Sequence, residues 1–245
     1  ASSHVDVSIQ NPDIFIEDNI LGKYGMIKAC LEWQKINESF KLINISTDEV
    51  FGALEPNEDC FTEMSRLSPT NPYSASKASA DILVDAHVKT FGLKAITTHC
   101  CNNYGPWQDC SKLIPKVIQC LLNGFKIPIY GEGLQRREWI HVNDHCEAIL
   151  HILNLGDEFL GQHFNIGTGV EISNIDLVHK IMNIAKKMYN IDTDDMIEFV
   201  KDRPAHDFRY ALDFSKISAT GWKPKKHFDD GIAETIKWYH ETMAQ

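Results

Sequence analysis

Apolar residues along the chain recur at two spacings, one typical of helices and the other of buried strands. Between residues 11 and 38 they recur every three or four positions, which predicts an amphipathic helix. These residues are Ile16, Ile20, Tyr24, Ile27 and Leu31. The apolar run at residues 41–46 then predicts a buried strand, so the chain starts with a helix that leads into a strand.

The same alternation of helix and strand continues to the end of the chain. Further helices are predicted at residues 73–91, 112–123, 143–155, 174–189 and about 227–243. Further strands are predicted in LKAITTHC, IPIYGEG, REWIHV, QHFNIG and IEFV, whereas CNNYGPWQDC is predicted to be a loop. Alternating helices and strands are typical of an α/β fold with a parallel sheet.

Composition and charge limit the class of partner. A chain of 245 residues with 43% apolar content can bury one large core or two smaller ones. The formal net charge of −10 argues against nucleic acid as a partner and favours a small molecule. No apolar run is long enough to span a membrane, and the first residues do not resemble a signal peptide, so we expect a cytoplasmic protein without membrane contact.

Neither the cysteines nor the histidines indicate a metal or a disulfide framework. The seven cysteines are odd in number and include no C-x-x-C pair, which suits a reducing compartment. His141 and His145 lie one helical turn apart, but no glutamate lies between them and no third ligand is near. We therefore expect an ordinary helix start at this position and no metal site.

Two adjacent acids follow the first predicted strand. Thr47, Asp48 and Glu49 come directly after its last apolar residues. Parallel α/β sheets bind ligands at the carboxyl ends of their strands, so these side chains are candidates for chemistry. From the pattern alone, the two acids are equally compatible with the start of a solvated loop.

A tyrosine and a lysine begin the next predicted helix. Tyr73 and Lys77 are four residues apart and therefore share one helical face. A lysine ammonium beside a phenol lowers the phenol's pKa, which favours a tyrosinate able to accept a hydroxyl proton. Such a pair is common on helices, and the hydroxyl of Thr47 at the preceding strand end is what strengthens the interpretation.

Together these segments resemble the nucleotide-sugar 4,6-dehydratases of the extended short-chain dehydrogenase/reductase superfamily. The segments are STDEVFG, NPYSASKASAD, NNYGP, KLIPK, REW and DRPAHDFRYALD, and the resemblance covers essentially the whole chain in order. It implies a Rossmann-like, doubly wound parallel sheet with a smaller α/β substrate-binding domain. Residues 1–110 would belong to a partial NAD-binding domain and residues 111–245 mainly to the substrate domain, with residues 138–166 returning to the Rossmann sheet.

The resemblance implies NAD as cofactor and a nucleoside-diphosphate glucose as substrate. The reaction oxidises C4 with NAD, eliminates water across C5 and C6 and returns the hydride to C6. Tyr73 would be the base at the 4-hydroxyl, with Thr47 bonded to the same oxygen and Lys77 also holding the cofactor ribose. Glu49 would remove the C5 proton while a protonated Asp48 donates to the leaving hydroxyl, a division of roles that adjacent carboxyls can support by splitting their pKa values.

The resemblance also implies further binding residues and a homodimer. Asn19 and Asn102 would bind the cofactor. The substrate would be bound by Ser3, Asn103, Lys112, Leu113, Pro128, Tyr130, Arg137, Asn174, Arg203 and His206. In the family, the helices that correspond to residues 11–38 and 73–91 pack against their copies in a dimer. The nucleotide base is not readable from the sequence.

Some features depart from the family. The glycine-rich loop that cradles the cofactor pyrophosphate is missing, so we expect a rear part of the enzyme that binds NAD poorly by itself. Lys23 stands where the family usually has threonine, Phe51 where tyrosine is common, and SKISATGWKP is a residue short. The alternatives are a nucleotide-sugar 4-epimerase or decarboxylase, and a non-catalytic module that binds nucleotide sugar.

Overall fold

A parallel three-stranded sheet organises the first half of the chain in the computed structural model, which describes residues 1–204 and 206–243. Its strands, in spatial order, are β1 (Leu42–Ile45), β2 (Ala95–Cys100) and β6 (His163–Ile166). All six residues of β2 are buried because this strand has a neighbour on each side. The α/β class with a parallel sheet is therefore confirmed.

The helices before and between these strands largely match the sequence prediction. The helix expected at residues 11–38 consists of α2 (Asp13–Phe15), a π-helical segment (Ile16–Leu21) and α3 (Gly22–Gln34). It therefore ends before residue 38. The helix α4 (Pro72–Phe91) agrees with the prediction to one residue, whereas α1 (Val5–Gln10) was not predicted.

A second group of strands lies mainly in the later part of the chain. A sheet of β3 (Asn102–Tyr104), β5 (Arg136–His141) and β7 (Glu171–Ser173) stands beside a parallel pair, β4 (Ile127–Tyr130) and β8 (Ile197–Val200). The prediction of a loop over CNNYGPWQDC is wrong for β3. That strand has only three residues, so it is defined by its parallel pairing with β5 and not by its own periodicity.

Five further helices complete the described part of the chain. They are α5 (Leu113–Asn123), α6 (Val142–Leu153), α7 (Asn174–Tyr189), α8 (Ser215–Ala219) and α9 (Phe228–Met243). Of residues 138–166, the strand β6 joins the first sheet, whereas β5 pairs in the second. The proposed boundary between the two domains stays a prediction.

Two large apolar clusters hold these elements together. Ile118, Ile181 and Ile232 are fully or almost fully buried and join α5, α7 and α9. Ile96 and Phe164 lie in the other cluster, between β2 and β6. The first cluster packs the later helices against one another. The second packs around the parallel sheet, whose strand β1 leads into the candidate site.

A buried carboxylate joins three chain segments beside that sheet. Glu138 on β5 is 1% exposed and accepts hydrogen bonds from the backbone N–H groups of Thr168, Gly169 (2.8 Å) and Leu212 (2.9 Å). Burying a carboxylate is costly unless its oxygens are hydrogen-bonded, and here three donors meet that requirement.

Among the described residues, no helix combines the length and apolarity that crossing a membrane requires.

Candidate active site

The end of β1 carries the first part of the candidate site. Thr47 is the N-cap of a 3-10 helix, Asp48–Phe51, and its hydroxyl accepts a hydrogen bond from the Glu49 N–H at 3.3 Å. The same hydroxyl donates to Asp48 Oδ1 at 3.2 Å. The cap therefore turns the chain so that both acids are held beside Thr47 and point away from bulk solvent.

Both acids are poorly solvated and carry an oxygen without a partner. Asp48 is 2% exposed, and Asp48 Oδ2 and Glu49 Oε2 have no hydrogen-bond partner among the described residues. Burial raises the pKa of Asp48 well above its ordinary value, and the nearby carboxyls of Glu49 and Glu138 raise it further. Burial also raises the pKa of Glu49, but Arg137 and Arg203 oppose that shift. The two environments thus favour a protonated Asp48 over a protonated Glu49.

A capped helix brings the tyrosine and the lysine to the same place. Asn71 is the N-cap of α4 and forms a reciprocal capping box with Ser74. Tyr73 and Lys77 on the first turns of this helix are each 8% exposed. Lys77 Nζ donates to the carbonyl of Ile45, the last residue of β1, at 2.7 Å. Helix and strand are therefore joined immediately before Thr47.

The expected lowering of the Tyr73 pKa by Lys77 is not found in the chain itself. Burial raises the pKa of Tyr73 well above its ordinary value, and the charge of Glu49 raises it further, against an opposing hydrogen bond with Thr47. The physical reason is that the Lys77 ammonium is bonded to Ile45, while the nearest strong charge to the phenol is an acid. The phenol needs additional positive charge to ionise near neutral pH.

A cavity of about 500 Å³ opens next to Glu49. Ten of the predicted residues line it, namely Glu49, Asn102, Lys112, Leu113, Pro128, Tyr130, Arg137, Asn174, Arg203 and His206. They come from both sequence halves, so the fold brings together side chains up to 157 positions apart, counted from Glu49 to His206. The cavity volume is within the range typical of small-molecule sites.

Several polar atoms at the cavity are buried and lack partners within the described part of the chain. Besides Glu49 Oε2, they are His4 Nδ1, Asn102 Oδ1, Trp139 Nε1, Asn174 Oδ1 and Arg203 Nε. A buried polar atom without a hydrogen bond costs free energy, and such atoms at one cavity indicate a polar ligand that completes them. The set includes a guanidinium donor as well as acceptors, which suits a phosphorylated sugar.

Two of the predicted basic residues, Arg137 and His206, are held by neighbouring groups of the chain. Arg137 is 6% exposed, stacks on the ring of Tyr210 at 4.3 Å and donates to the carbonyl of Asp207 at 2.9 Å. Much of its hydrogen-bonding capacity therefore holds the neighbouring loop. His206 is bonded to Asp202 at 2.6 Å, and burial lowers the pKa of His206.

Seven of the predicted site residues are not among the cavity-lining residues, namely Ser3, Asn19, Thr47, Asp48, Tyr73, Lys77 and Asn103. The Ser3 carbonyl accepts a hydrogen bond from Lys112 Nζ at 2.8 Å, and Asn103 Nδ2 donates within its own loop, to Cys101 O. Both hydrogens of the Asn19 amide are used, by Ser2 O and Ser76 Oγ, each at 2.9 Å. For Asn19 this argues against a direct cofactor contact, because the π-helical turn directs the amide to the chain's own groups.

Asp6 and Tyr210 line the cavity and were missed from the sequence. Asp6 Oδ1 lies 3.3 Å from Arg203 Nη1, and Tyr130 OH donates to Asp6 Oδ2 at 3.4 Å. Tyr210 lies in DRPAHDFRYALD, a segment that supported the resemblance, and Asp6 lies in SSHVD near the start of the chain. The sequence alone could not place Asp6 on Arg203, which is 197 positions away.

The histidine pair forms part of a helix start. His141 is the N-cap of α6, and its Nδ1 accepts from the Asn143 N–H at 3.3 Å. Burial lowers the pKa of His145 to about 4, so this imidazole is neutral at physiological pH. No group of three or more His, Cys, Asp or Glu side chains suited to a metal ion occurs in residues 1–204 and 206–243.

Comparison with known proteins identifies the family. The model of the GDP-mannose 4,6 dehydratase family matches residues 1–235. The dTDP-glucose 4,6-dehydratase of Shigella flexneri is 44% identical over 255 aligned residues, which cover 98% of this chain and 70% of the relative. The chain therefore belongs to the GDP-mannose 4,6 dehydratase family, and the resemblance to nucleotide-sugar 4,6-dehydratases is confirmed.

Solved structures show which enzymes share the fold of this chain. The dTDP-glucose 4,6-dehydratase DesIV of Streptomyces venezuelae, solved with NAD bound, superposes with a TM-score of 0.90 at 38% identity. That match covers 100% of this chain and 72% of DesIV, and it confirms the Rossmann-like fold class. The UDP-glucose 4-epimerase of Thermus thermophilus, a complex with NAD, has a TM-score of 0.87 at 26% identity and covers 98% of this chain and 75% of that one.

The raised pKa of Asp48 makes stability depend on pH. Because its folded-state pKa exceeds the unfolded value, Asp48 contributes stability below the unfolded pKa, and that contribution is lost as pH rises through the folded pKa. We expect Asp48→Asn to unfold at higher denaturant concentration than the wild type near pH 8, with the difference shrinking toward about pH 4.

Chemical denaturation followed by circular dichroism measures this difference. The control is Glu55→Gln at an exposed position, for which we expect a change below about 0.5 kcal/mol. Equal stability of Asp48→Asn and the wild type across the pH range would contradict the burial argument.

Proposed function

We propose that this protein is an NAD-dependent nucleotide-sugar 4,6-dehydratase acting on dTDP-glucose. It converts the glucosyl group to the 4-keto-6-deoxy sugar with loss of one water. The observation that carries this proposal is the pair of adjacent carboxyls, of which Asp48 is buried and Glu49 lines the cavity, and both of which act on the phenol of Tyr73. A 4-epimerase needs the tyrosine and lysine but has no step that uses such an acid–base pair.

The cofactor fits the residues present at the helix start. Within the described part of the chain, Lys77 Nζ makes one hydrogen bond, to Ile45 O, which leaves two of its hydrogens for the ribose hydroxyls of NAD. Asn102 supplies a buried carbonyl oxygen without a partner nearby. Bound NAD supplies the oxidation at C4 and the later reduction at C6, and its positive charge is what the raised pKa of Tyr73 requires.

Tyr73 and Thr47 act on the 4-hydroxyl. Tyr73 accepts the proton of this hydroxyl, and the Thr47 hydroxyl turns from Asp48 Oδ1 to donate a hydrogen bond to the same oxygen as it becomes a carbonyl. Tyr73 is held in place by edge-to-face packing on Phe15 at 6.2 Å. The resulting 4-ketone makes the neighbouring C5–H acidic enough for removal by a carboxylate.

Asp48 and Glu49 then perform the elimination. Glu49 takes the C5 proton, the electron pair forms the C5–C6 double bond, and Asp48 protonates the C6 hydroxyl, which leaves as water. After C6 is reduced, the proton is returned at C5. The arginines near Glu49 favour its ionised form, and the burial of Asp48 favours its protonated form, which matches these roles.

The nucleotide part occupies the rest of the cavity. Arg203 and Arg137 supply positive charge for the diphosphate, and Asn174 and Lys112 bind polar groups beside it. Pro128 and Tyr130 form a wall for the base, with His206 packed on Tyr130 at 6.1 Å between ring centres. All seven cysteines, each within the described residues, are unpaired, which suits the cytoplasmic location that we propose.

Substrate identity is tested by incubation of the protein with NAD and either dTDP-glucose or GDP-mannose, with mass spectrometry of the sugar nucleotide. We expect dTDP-glucose to lose one water and GDP-mannose to react at least tenfold more slowly, a difference of about 1.4 kcal/mol in transition-state binding. Faster turnover of GDP-mannose would overturn the assignment of the base, and an epimer of unchanged mass would overturn the dehydratase.

Glu49→Gln separates the two chemical steps. We expect loss of dehydration on the order of a hundredfold or more, because the C5 base is removed. The oxidation at C4 uses Tyr73 and should persist as a slow build-up of NADH absorbance. The control is Glu55→Gln, which should leave both signals unchanged. Equal loss of oxidation and dehydration would remove the role assigned to Glu49.

We also propose a homodimer formed through α3 and α4. Large apolar side chains on these helices and the preceding turn are 43–60% exposed, namely Leu21, Tyr24, Met26, Trp33, Ile82 and Phe91. Tyr24 lies 6.0 Å from His87 and His87 lies 5.3 Å from Phe91, so α3 and α4 contact each other through these rings. Surfaces of this kind mark contacts with a partner.

Ile82→Glu tests the dimer surface. Ile82 is 56% exposed on α4, and a charge there should prevent association because it would be buried without a partner. Light scattering after size-exclusion chromatography should give the dimer mass for the wild type and the monomer mass for the variant. Leu150→Glu on α6, at a residue 58% exposed, is the matched control and should stay dimeric. A wild-type monomer, or a dimeric Ile82→Glu, would contradict the proposal.

A further inference from the structure

A buried acid lies one helical turn beyond the lysine of the candidate active site. Asp81 follows Lys77 by four residues on α4, shares its helical face and is 1% exposed. Its Oδ2 accepts from Ser46 Oγ at 2.5 Å and its Oδ1 accepts from Asn44 Nδ2 at 2.8 Å. Both partners lie at the end of β1, immediately before Thr47.

Three consecutive residues of that strand end are therefore bonded to one face of α4. Asn44 and Ser46 are bonded to Asp81 through their side chains, and Ile45 between them is bonded to Lys77 through its carbonyl at 2.7 Å. Such a clamp leaves the chain little freedom before Thr47. It fixes the start of the segment that carries Thr47, Asp48 and Glu49.

A second lysine reaches the same clamp from α3. Lys23 Nζ donates to Asn44 Oδ1 at 2.7 Å, so the Asn44 amide connects Lys23 with Asp81. The proposed function gives no role to Lys23 or to Asp81. One buried anion thus stands close to two partly buried cations, Lys23 and Lys77.

We propose that Asp81, held through Asn44 by Lys23, is a positioning residue that fixes the end of β1 and keeps Lys77 in its ammonium form. The inference rests on the proposed function, because it concerns the lysine assigned there to the cofactor and to the catalytic tyrosine. The charge of Lys77 in turn lowers the pKa of Lys23, since two like charges are brought together. The balance between the burial of Lys77 and the charge of Asp81 sets the pH up to which Lys77 stays an ammonium beside Tyr73.

The surroundings of the two lysines support this balance. Burial lowers the pKa of Lys77, and Asp81 is the largest opposing influence, followed by the Cys100 thiol on β2. Burial also lowers the pKa of Lys23, the charge of Lys77 lowers it further, and Asp81 and the Cys30 thiol on α3 oppose this. Burial would raise the pKa of Asp81, but the imidazole of His99 on β2 and the side chains of Ser46 and Asn44 hold it below its ordinary value.

Asp81→Asn tests whether Asp81 keeps Lys77 protonated. The amide keeps the size of the side chain but removes the negative charge, so Lys77 should lose its proton at a lower pH than in the wild type. Heteronuclear NMR of the lysine side chains in the unliganded protein measures this titration, with the Lys77 signal identified by its loss in Lys77→Arg. In the NAD-loaded enzyme, the alkaline limb of the kcat/KM profile should move to lower pH by the same amount.

Lys23→Gln is the matched control for loss of a charge at the same clamp. Glutamine can still donate to Asn44, and the pKa of Lys77 is set by burial, Asp81 and Cys100, so the Lys77 titration should stay close to that of the wild type. Asp81→Glu keeps the negative charge, so Lys77 should titrate as in the wild type, and this variant tests the proposal if Asp81→Asn fails to fold.

Two outcomes would overturn the inference. The first is a Lys77 titration that stays in place in Asp81→Asn when this variant is folded, as judged by circular dichroism. The second is a shift of the same size and direction in Asp81→Asn and Lys23→Gln. Because the NMR titration uses no substrate, it stands even if dTDP-glucose is not the substrate, so failure of the proposed function is distinguished from failure of this inference.

Discussion

The desolvation of two adjacent carboxyls at the end of a parallel strand is the constraint on which this site depends. Water would ionise both Asp48 and Glu49 at neutral pH, and two carboxylates cannot supply both a proton donor and a proton acceptor. Burial removes that solvent, and the unequal distribution of charge around the two groups then distinguishes them. The arginines stand near Glu49, whereas a third carboxyl, Glu138, stands near Asp48.

The rest of the fold maintains this arrangement. The sheet places the end of β1 against α4, and a capping box fixes where α4 begins, so that Tyr73 stands beside Thr47. Glu138 is kept in the interior by three backbone donors from two other segments, which ties the second sheet to the same centre. Buried polar groups of this kind are tolerated because nearly all of their hydrogen bonds are made within the chain. Among the polar atoms left without a partner in the described residues, Glu49 Oε2, Asn102 Oδ1, Asn174 Oδ1 and Arg203 Nε lie at the cavity, and others lie elsewhere in the fold.

The sequence predicted the long periodic elements well, because helices such as α4 and α7 have many turns over which an apolar spacing can repeat. It failed for β3 and β7, which have three residues each and exist through pairing with β5. The site was largely predictable as a set of residues, since motif order placed ten of them at one cavity. Their ionisation could not be predicted, because the effect of Lys77 on the pKa of Tyr73 depends on where the ammonium lies in the fold. The contact between Asp6 and Arg203 could not be predicted either, because the two residues are far apart in sequence. Such contacts are created by the tertiary fold.

The contact between Asp6 and Arg203 changes how nucleotide entry should be understood. A carboxylate already lies 3.3 Å from the guanidinium that is expected to receive the diphosphate, and the hydroxyl of Tyr130 is bonded to the same acid. The positive charge of Arg203 is therefore already partly compensated within the chain, at a contact that joins the first helix, α1, to the cavity wall. A cation with a partner contributes less to the field at the cavity than a free one, so the number of basic residues around the cavity overstates how steeply affinity for an anion should depend on ionic strength.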